Sequence, residues 1–279
     1  MNSMNLIRIA NRVGGRLAPG LTARVARRML MTPRRLPTRP WEQAAINAGE
    51  RFTLQNGLSA ISWGSKGPVV LCLHGWEGRA SQFACFAPRL VEIGYRVIAV
   101  DAPAHGRSPG KEANPLVFMQ GLLEAGKELG PLAMVIGHSM GAGAAALAIS
   151  RGLNVRAAVL IAGPSGLRGV LQRFAGFVGL PAAARERFFS IVEEHTGAPL
   201  ETVEISQLAS DFRIPGLIIH DQDDVMMPFA EAQENARYWP GAKLFATKGL
   251  GHNRILRDAE VVSTVVSFAR FAIPYRRAA

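Results

Sequence analysis

The stretch Ala133-Met134-Val135-Ile136-Gly137-His138-Ser139-Met140-Gly141-Ala142-Gly143-Ala144 decides the reading of this chain. An apolar run ends at Ile136, a serine stands between two glycines, and a run of small residues continues to Ile149. That order is strand, sharp turn, helix, with Ser139 at the apex. Glycines two positions to either side let the strand and helix backbones approach closely, while the serine takes a strained conformation with its Oγ exposed. The following helix turns its free N–H groups towards the place where negative charge would develop.

Outward from the turn, strand-type and helix-type segments alternate. Residues 51–55 and 58–63 predict a hairpin turned at Asn56-Gly57. Apolar runs follow at 69–73, 96–100, 134–136, 157–161, 216–219 and 243–246. Helix-period segments at 80–93, 115–129, 140–151, 229–238 and 258–272 separate most of them. Continuous apolar strands joined by helices imply an α/β fold, a mostly parallel sheet of about eight strands covered by helices on both faces. The connection between the fourth and fifth of those runs is too long for one crossover helix. It predicts a small helical cap insertion over 165–210, with helices at 167–180 and 184–195. The core then comprises 41–164 and 211–279.

The chain has 279 residues, 48% of them hydrophobic, enough to bury a large core as one domain. No apolar stretch approaches the roughly 20 residues that span a bilayer. Cys72 and Cys85 lack metal-ligand spacing, and Cys72 falls inside an apolar strand, as a buried free thiol would. A reducing, cytoplasmic setting is expected. Of the net charge of +11, +9 comes from nine arginines in residues 1–40, which hold no acid. The body is nearly neutral, so nucleic acid is not an expected partner.

Residues 1–40 read as a basic N-terminal extension. Two short helical candidates are separated by Gly14-Gly15 and Pro19-Gly20, and 33–40 is an extended linker. Leu6, Ile9 and Val13, then Leu21, Val25 and Met29, form apolar stripes beside arginines. Such helices lie on an anionic membrane surface, pack on the body, or pair with another chain. An organellar targeting peptide shares this composition. The leading expectation is packing on the body or on a partner chain, with peripheral membrane binding or self-association the alternative, and turnover is expected not to need the extension.

A serine hydroxyl becomes a useful nucleophile only when a base takes its proton and an acid orients that base. The run after 216–219 offers Asp221, Asp223 and Asp224, and the run after 243–246 offers His252 in Gly249-Leu250-Gly251-His252-Asn253. Both follow carboxyl ends of predicted parallel strands, where open α/β sheets place their sites. An aspartate cluster without matching ligands is poor evidence for a metal, so no metal or organic cofactor is expected.

With these motifs in this order, the chain resembles the α/β-hydrolase superfamily, in particular its capped, serine-nucleophile, esterase-like members, over roughly residues 50–273. Leu73-His74-Gly75-Trp76 is similar to the family's loop after the third strand. The resemblance implies an oxyanion hole formed by the backbone N–H groups of Trp76 and Met140. Asp101-Ala102-Pro103-Ala104-His105-Gly106-Arg107-Ser108 resembles a D-x-P-G-H-G-x-S segment, with Ala104 in place of a glycine. Residues 220–228 resemble H-G-x-x-D-x-x-V-P, which implies Asp224 as the acid; Asp221 stands at the glycine position and Met227 at the valine. Asp223 is the chief alternative.

The implied site is therefore Ser139, Asp224 and His252, acting on an ester or thioester of a small, largely apolar acyl compound. Acyl transfer, C–C or perester cleavage, and a non-catalytic receptor are the alternatives. Trp76, Phe174, Phe177 and Phe188 are the expected pocket residues. His74, His105 and His138 are expected to be structural, and His195 and His220 surface or strand-end residues.

Overall fold

The computed structural model describes residues 3–272; residues 1–2 of the expected extension and 273–279 of the expected core lie outside the described residues. Three helices come first: α1 (Ser3–Leu17), α2 (Pro19–Met31) and α3 (Pro40–Ala48). The hairpin of β1 (Glu50–Thr53) and β2 (Ser59–Trp63) follows, turned at Gly57 with φ of 82°. Then come β3 (Val69–Leu73), α4 (Ala87–Glu92), β4 (Arg96–Val100), α5 (Pro115–Leu129), β5 (Leu132–His138), α6 (Met140–Ser150) and β6 (Ala158–Ile161). After α7 (Leu167–Val178), α8 (Ala182–Thr196) and α9 (Ile205–Ala209) the chain re-enters the sheet. It does so through β7 (Gly216–Asp221), α10 (Phe229–Tyr238), β8 (Ala242–Thr247), α11 (Gly251–Arg254) and α12 (Ala259–Ala272).

The eight strands form one sheet in the order β1-β2-β4-β3-β5-β6-β7-β8. β1, β2 and β4 pair antiparallel, and every pairing from β4 through β3 to β8 is parallel. The side-chain period of two divides the core. Val70 and Cys72 join α4 and α12 on one face, whereas Leu71 and Leu73 join α5 and α6 on the other. Cys72 is a fully buried free thiol, its pKa pushed up by burial. The expected doubly covered sheet is present, and most of the expected strands and helices fall within a few residues of their bounds.

Between β6 and β7 the chain leaves the sheet as a helical insertion. Leu167, Leu171, Ala175, Val178, Phe188 and Val192 form their own buried cluster. Ala23, Ala26 and Met31 of α2 belong to that same cluster, so the N-terminal helices pack on the insertion. Packing on the body was the leading expectation for them. The expected break at Gly14-Gly15 is corrected, because α1 runs through both glycines to Leu17. The reason is close approach: a methyl at Gly15 would stand 2.5 Å from Pro181 Cγ. Asn11 Nδ2 and Arg8 Nε donate to the carbonyls of Val178 and Phe177, at 2.8 Å each, capping the end of α7.

The linker is extended as expected, and its arginines are anchored. Arg34 donates through Nε and Nη2 to both carboxylate oxygens of Glu77, and Arg35 to the carbonyls of Gly106 and Ser108. No helix among the described residues is long and apolar enough to cross a membrane.

Candidate active site

Strands β3, β5, β7 and β8 end on one rim of the sheet, and each delivers a loop to the same place. At the end of β5, Ser139 has φ of 53° and ψ of −121°, a conformation L-residues rarely adopt. The flanking glycines allow it. A methyl at Gly141 would stand 2.2 Å from the Leu73 carbonyl oxygen, and one at Gly137 would stand 2.5 Å from the Gly141 oxygen. Any larger residue would force α6 off β3 and β5.

Three side chains distant in sequence meet there. Ser139 Oγ lies 2.9 Å from His252 Nε2, and His252 Nδ1 lies 2.7 Å from Asp224 Oδ2. Asp224 Oδ1 accepts the N–H groups of Met226 and Met227, both at 2.9 Å. Burial by itself would raise the Asp224 pKa; the hydrogen bond and charge of His252, with those two N–H groups, outweigh it and hold the carboxyl below its ordinary value. An imidazole ordered in this way carries Nδ1–H towards the carboxylate and presents Nε2 as an acceptor to the hydroxyl.

The competing aspartates have other partners. Asp221 Oδ2 accepts the Thr247 hydroxyl at 2.7 Å and the Leu250 N–H at 3.0 Å, while Asp223 Oδ2 accepts the Gly249 N–H at 3.0 Å. Both brace the loop that carries His252, and neither touches the imidazole. The glycine position taken by Asp221 is thus used to tie β7 to the end of β8.

The loop after β3 backs onto the serine. A methyl at Gly75 would lie 2.7 Å from Ser139 Cβ, so Trp76 follows within reach of the hydroxyl. Neither the Trp76 N–H nor the Met140 N–H donates to an acceptor among the described residues, Met140 being the first residue of α6. Glu77, next in line, has φ of 54° and is the residue clamped by Arg34.

Four histidines hold these loops together, three of them expected from the sequence to be structural. His74 Nδ1–H donates to the Gly75 carbonyl and Nε2 accepts the Ala102 N–H at 3.0 Å. Burial, with a smaller contribution from His105, pushes its pKa down to about 3. His138 Nε2–H donates to the His252 carbonyl at 2.9 Å, and burial, with the neighbouring His252, likewise pushes it down to about 3. His105 packs between Trp76 and Phe118, and His220 Nε2 donates to the Met227 carbonyl. The fourth, His220, is a fully buried residue at the end of β7, while His195 is part-exposed beside Glu112.

A cavity of about 730 Å³ opens from Ser139, Met140 and His252 into the insertion. Its walls are mostly apolar, with Trp76, Leu147, Leu167, Val170, Leu171, Phe174, Phe177, Val192, Val203, Ile205 and the Val225-Met226-Met227 run; Asn114, Arg173 and Thr196 are the polar side chains among them. Trp76, Phe174 and Phe177 stand where the sequence reading put them. Phe188 does not. It is fully buried, its ring 5.7 Å from that of Phe174, and it supports the wall from behind. Leu30 and Met31 of the extension also line the cavity; they lie off the Leu21-Val25-Met29 stripe, so no periodic signal marked them. On the other side of Ser139 lies a smaller hollow of about 180 Å³ bounded by Arg39, Glu42, Glu77, Arg79, Gln82 and His138. The hydroxyl therefore sits between an apolar chamber and a polar one.

Comparisons with known proteins point to the same fold. A family model described as the α/β hydrolase fold matches residues 68–198. A serine hydrolase-like protein of Dictyostelium discoideum is 33% identical over 110 residues, which is 36% of this chain and 31% of that protein. The pimeloyl-[acyl-carrier protein] methyl ester esterase of Xanthomonas axonopodis is 28% identical over 248 residues, 75% of this chain and 97% of that protein. Among solved structures, a thioesterase domain from the curacin biosynthetic pathway superposes with a TM-score of 0.60 at 20% identity, covering 80% of this chain and 99% of its own. An esterase from Exiguobacterium antarcticum gives the same TM-score of 0.60, identity of 20% and coverage of 80% and 99%. Those structures are matched almost end to end, yet about a fifth of this chain has no counterpart in them. The chain has the α/β-hydrolase fold, and the family model described by that fold matches a little under half of it.

Proposed function

We propose that the protein is a serine hydrolase that cleaves an ester or thioester of a small, largely apolar acyl compound. The observation that carries this is the hydrogen-bonded chain Ser139–His252–Asp224, whose serine end opens into the apolar cavity. His252 Nε2 takes the Ser139 proton as Oγ attacks the carbonyl carbon, and Asp224 stabilises the imidazolium that forms. The oxyanion is received by the N–H groups of Trp76 and Met140; loss of one such donor costs about 3 kcal/mol of transition-state stabilisation. His252 gives its proton to the leaving oxygen or sulfur, which departs and leaves the acyl group on Ser139. A water then enters, loses a proton to His252 and attacks the acyl carbon; the acid is released and Oγ regains its proton.

The two chambers favour division of the substrate. The acyl part fits the apolar side, and the alcohol or thiol part fits the polar hollow, where Arg39, Arg79 and Gln82 offer donors. The esterase and thioesterase activities named for the relatives are of this reaction class. A receptor that merely retained the pocket would have no use for the strained backbone at Ser139.

A fluorophosphonate probe tests the reading directly. Wild-type protein is expected to be labelled at one site, and Ser139→Ala, which keeps the fold, is expected to be silent. Equal labelling of the two would overturn the proposal.

A further inference from the structure

Helices α1 and α2 face the wrong way for helices that merely pack on their own body. At 100° per residue, Leu6, Ile9, Val13 and Leu17 fall within roughly 80° of one another on α1. Leu21, Val25 and Met29 make a second stripe on α2. All seven are exposed, from 39% to 81%, and they are seven of the fifteen exposed large hydrophobics among the described residues. The buried face instead carries Asn11, Gly15, Thr22, Ala23 and Ala26, small or polar residues set against the insertion. An ordinary surface helix puts its large apolar side chains inward. Here docking rests mostly on small residues, with Met31 and the part-buried Ile7 and Leu30 the large side chains turned inward, and seven large ones are presented outward.

Arg12, Arg16, Arg24 and Arg28 are exposed alongside the stripes, and none forms an ion pair among the described residues. No acid occurs in residues 1–40 to offset them. We propose that this face of α1 and α2 docks on a lipid bilayer carrying anionic headgroups, with the helices lying in the plane of the interface. Apolar side chains then enter the acyl boundary while the arginines meet phosphate or carboxylate groups. The charge argues against a second copy of this chain as the occupant. A two-fold contact would set arginine against arginine with no acid on either side.

The face is continuous with the cavity. The Arg8 guanidinium lies 5.6 Å from the centre of the Phe177 ring, and Phe177 is half exposed while lining the cavity. At its far end α2 contributes Leu30 and Met31 to the cavity wall. Docking brings that wall to the lipid, so a membrane-partitioned acyl compound reaches Ser139 along an apolar route. This last consequence rests on the hydrolase reading; the docking itself does not.

Sedimentation with vesicles tests it on the full chain. Vesicles of phosphatidylcholine with about 30% phosphatidylglycerol are compared with phosphatidylcholine alone. The protein is expected to co-sediment with the anionic vesicles and to be released by high salt. Two variants, one with Val13→Ser, Leu17→Ser, Leu21→Ser and Val25→Ser, the other with Arg12→Gln, Arg16→Gln, Arg24→Gln and Arg28→Gln, are expected to bind about tenfold more weakly or less. Both should keep the wild-type melting profile and turnover of a short soluble ester. The proposal is overturned if wild-type protein stays in the supernatant, binds both vesicle types equally, or binds no better than the two variants. It is also overturned if the wild type is a dimer that the serine variant dissociates.

Discussion

Ser139 is held in a backbone conformation that costs on the order of 1–3 kcal/mol, and the surrounding contacts have to sustain it. They do so through paired residues: Gly137 and Gly141 remove the clashes, and the Ser139 N–H reaches the Ile161 carbonyl at 2.8 Å. These positions were legible in the sequence because each is the one residue type its place tolerates. The acid was less legible. Three aspartates within four residues offer the same chemistry, and only the fold assigns Asp221 to Thr247, Asp223 to Gly249 and Asp224 to His252. The assignment predicts unequal losses. Asp224→Asn should lower kcat by about 10⁴ with little change in KM, because the amide presents the wrong partner to Nδ1–H. Asp223→Asn should stay within about threefold of wild type, since only a loop hydrogen bond is weakened. Steady-state kinetics on one soluble ester decides between them; the reverse ranking would move the acid to Asp223.

At the scale of elements, the sequence periodicity located the sheet well and the insertion in outline, since β3, β4 and α5 fall on the expected bounds. It left open which surface the first helices face. Amphipathicity finds an apolar stripe but not the surface it faces, and here the buried contacts are made mostly by Gly15, Ala23 and Ala26, with Met31. Small residues carry no periodic signal. The same limit explains Phe188, whose helix turns it inward while Phe174 beside it reaches the cavity. Two substitutions separate supporting a wall from being one. Phe188→Ala should cost about 3–5 kcal/mol of stability and leave the order of preference among acyl chains unchanged. Met31→Ala should cost about 2–5 kcal/mol and shift preference towards bulkier or longer acyl groups, by enlarging the cavity. Urea unfolding and kcat/KM across an ester series provide the two readouts. An unchanged chain-length profile for Met31→Ala would remove α2 from the substrate pocket.

For the whole molecule, the loops on the active rim are joined by buried neutral histidines, and this gives folding a pH dependence that net charge does not reveal. His74 and His138 are buried, each hydrogen-bonded as a neutral ring, and each has its pKa pushed down to about 3. Burial lowers His105 and His220 as well. In the unfolded chain these rings titrate near 6.5. Between that value and about 3, the unfolded state therefore holds protons that the folded state refuses. Stability is full above roughly pH 6.5 and declines steadily as the pH falls through the window. From pH 6.5 to 5, His74 and His138 together should remove on the order of 2–4 kcal/mol, with unfolding at pH 5.5 taking up about two protons. Asp224 adds to the loss only lower, as the pH falls past the ordinary carboxylate range towards its depressed pKa. Urea unfolding between pH 5 and 8 measures the slope. A flat profile across that range would mean that the rings are charged or solvated in the folded protein, and that the loops carrying Trp76 and His252 are held by something other than His74 and His138.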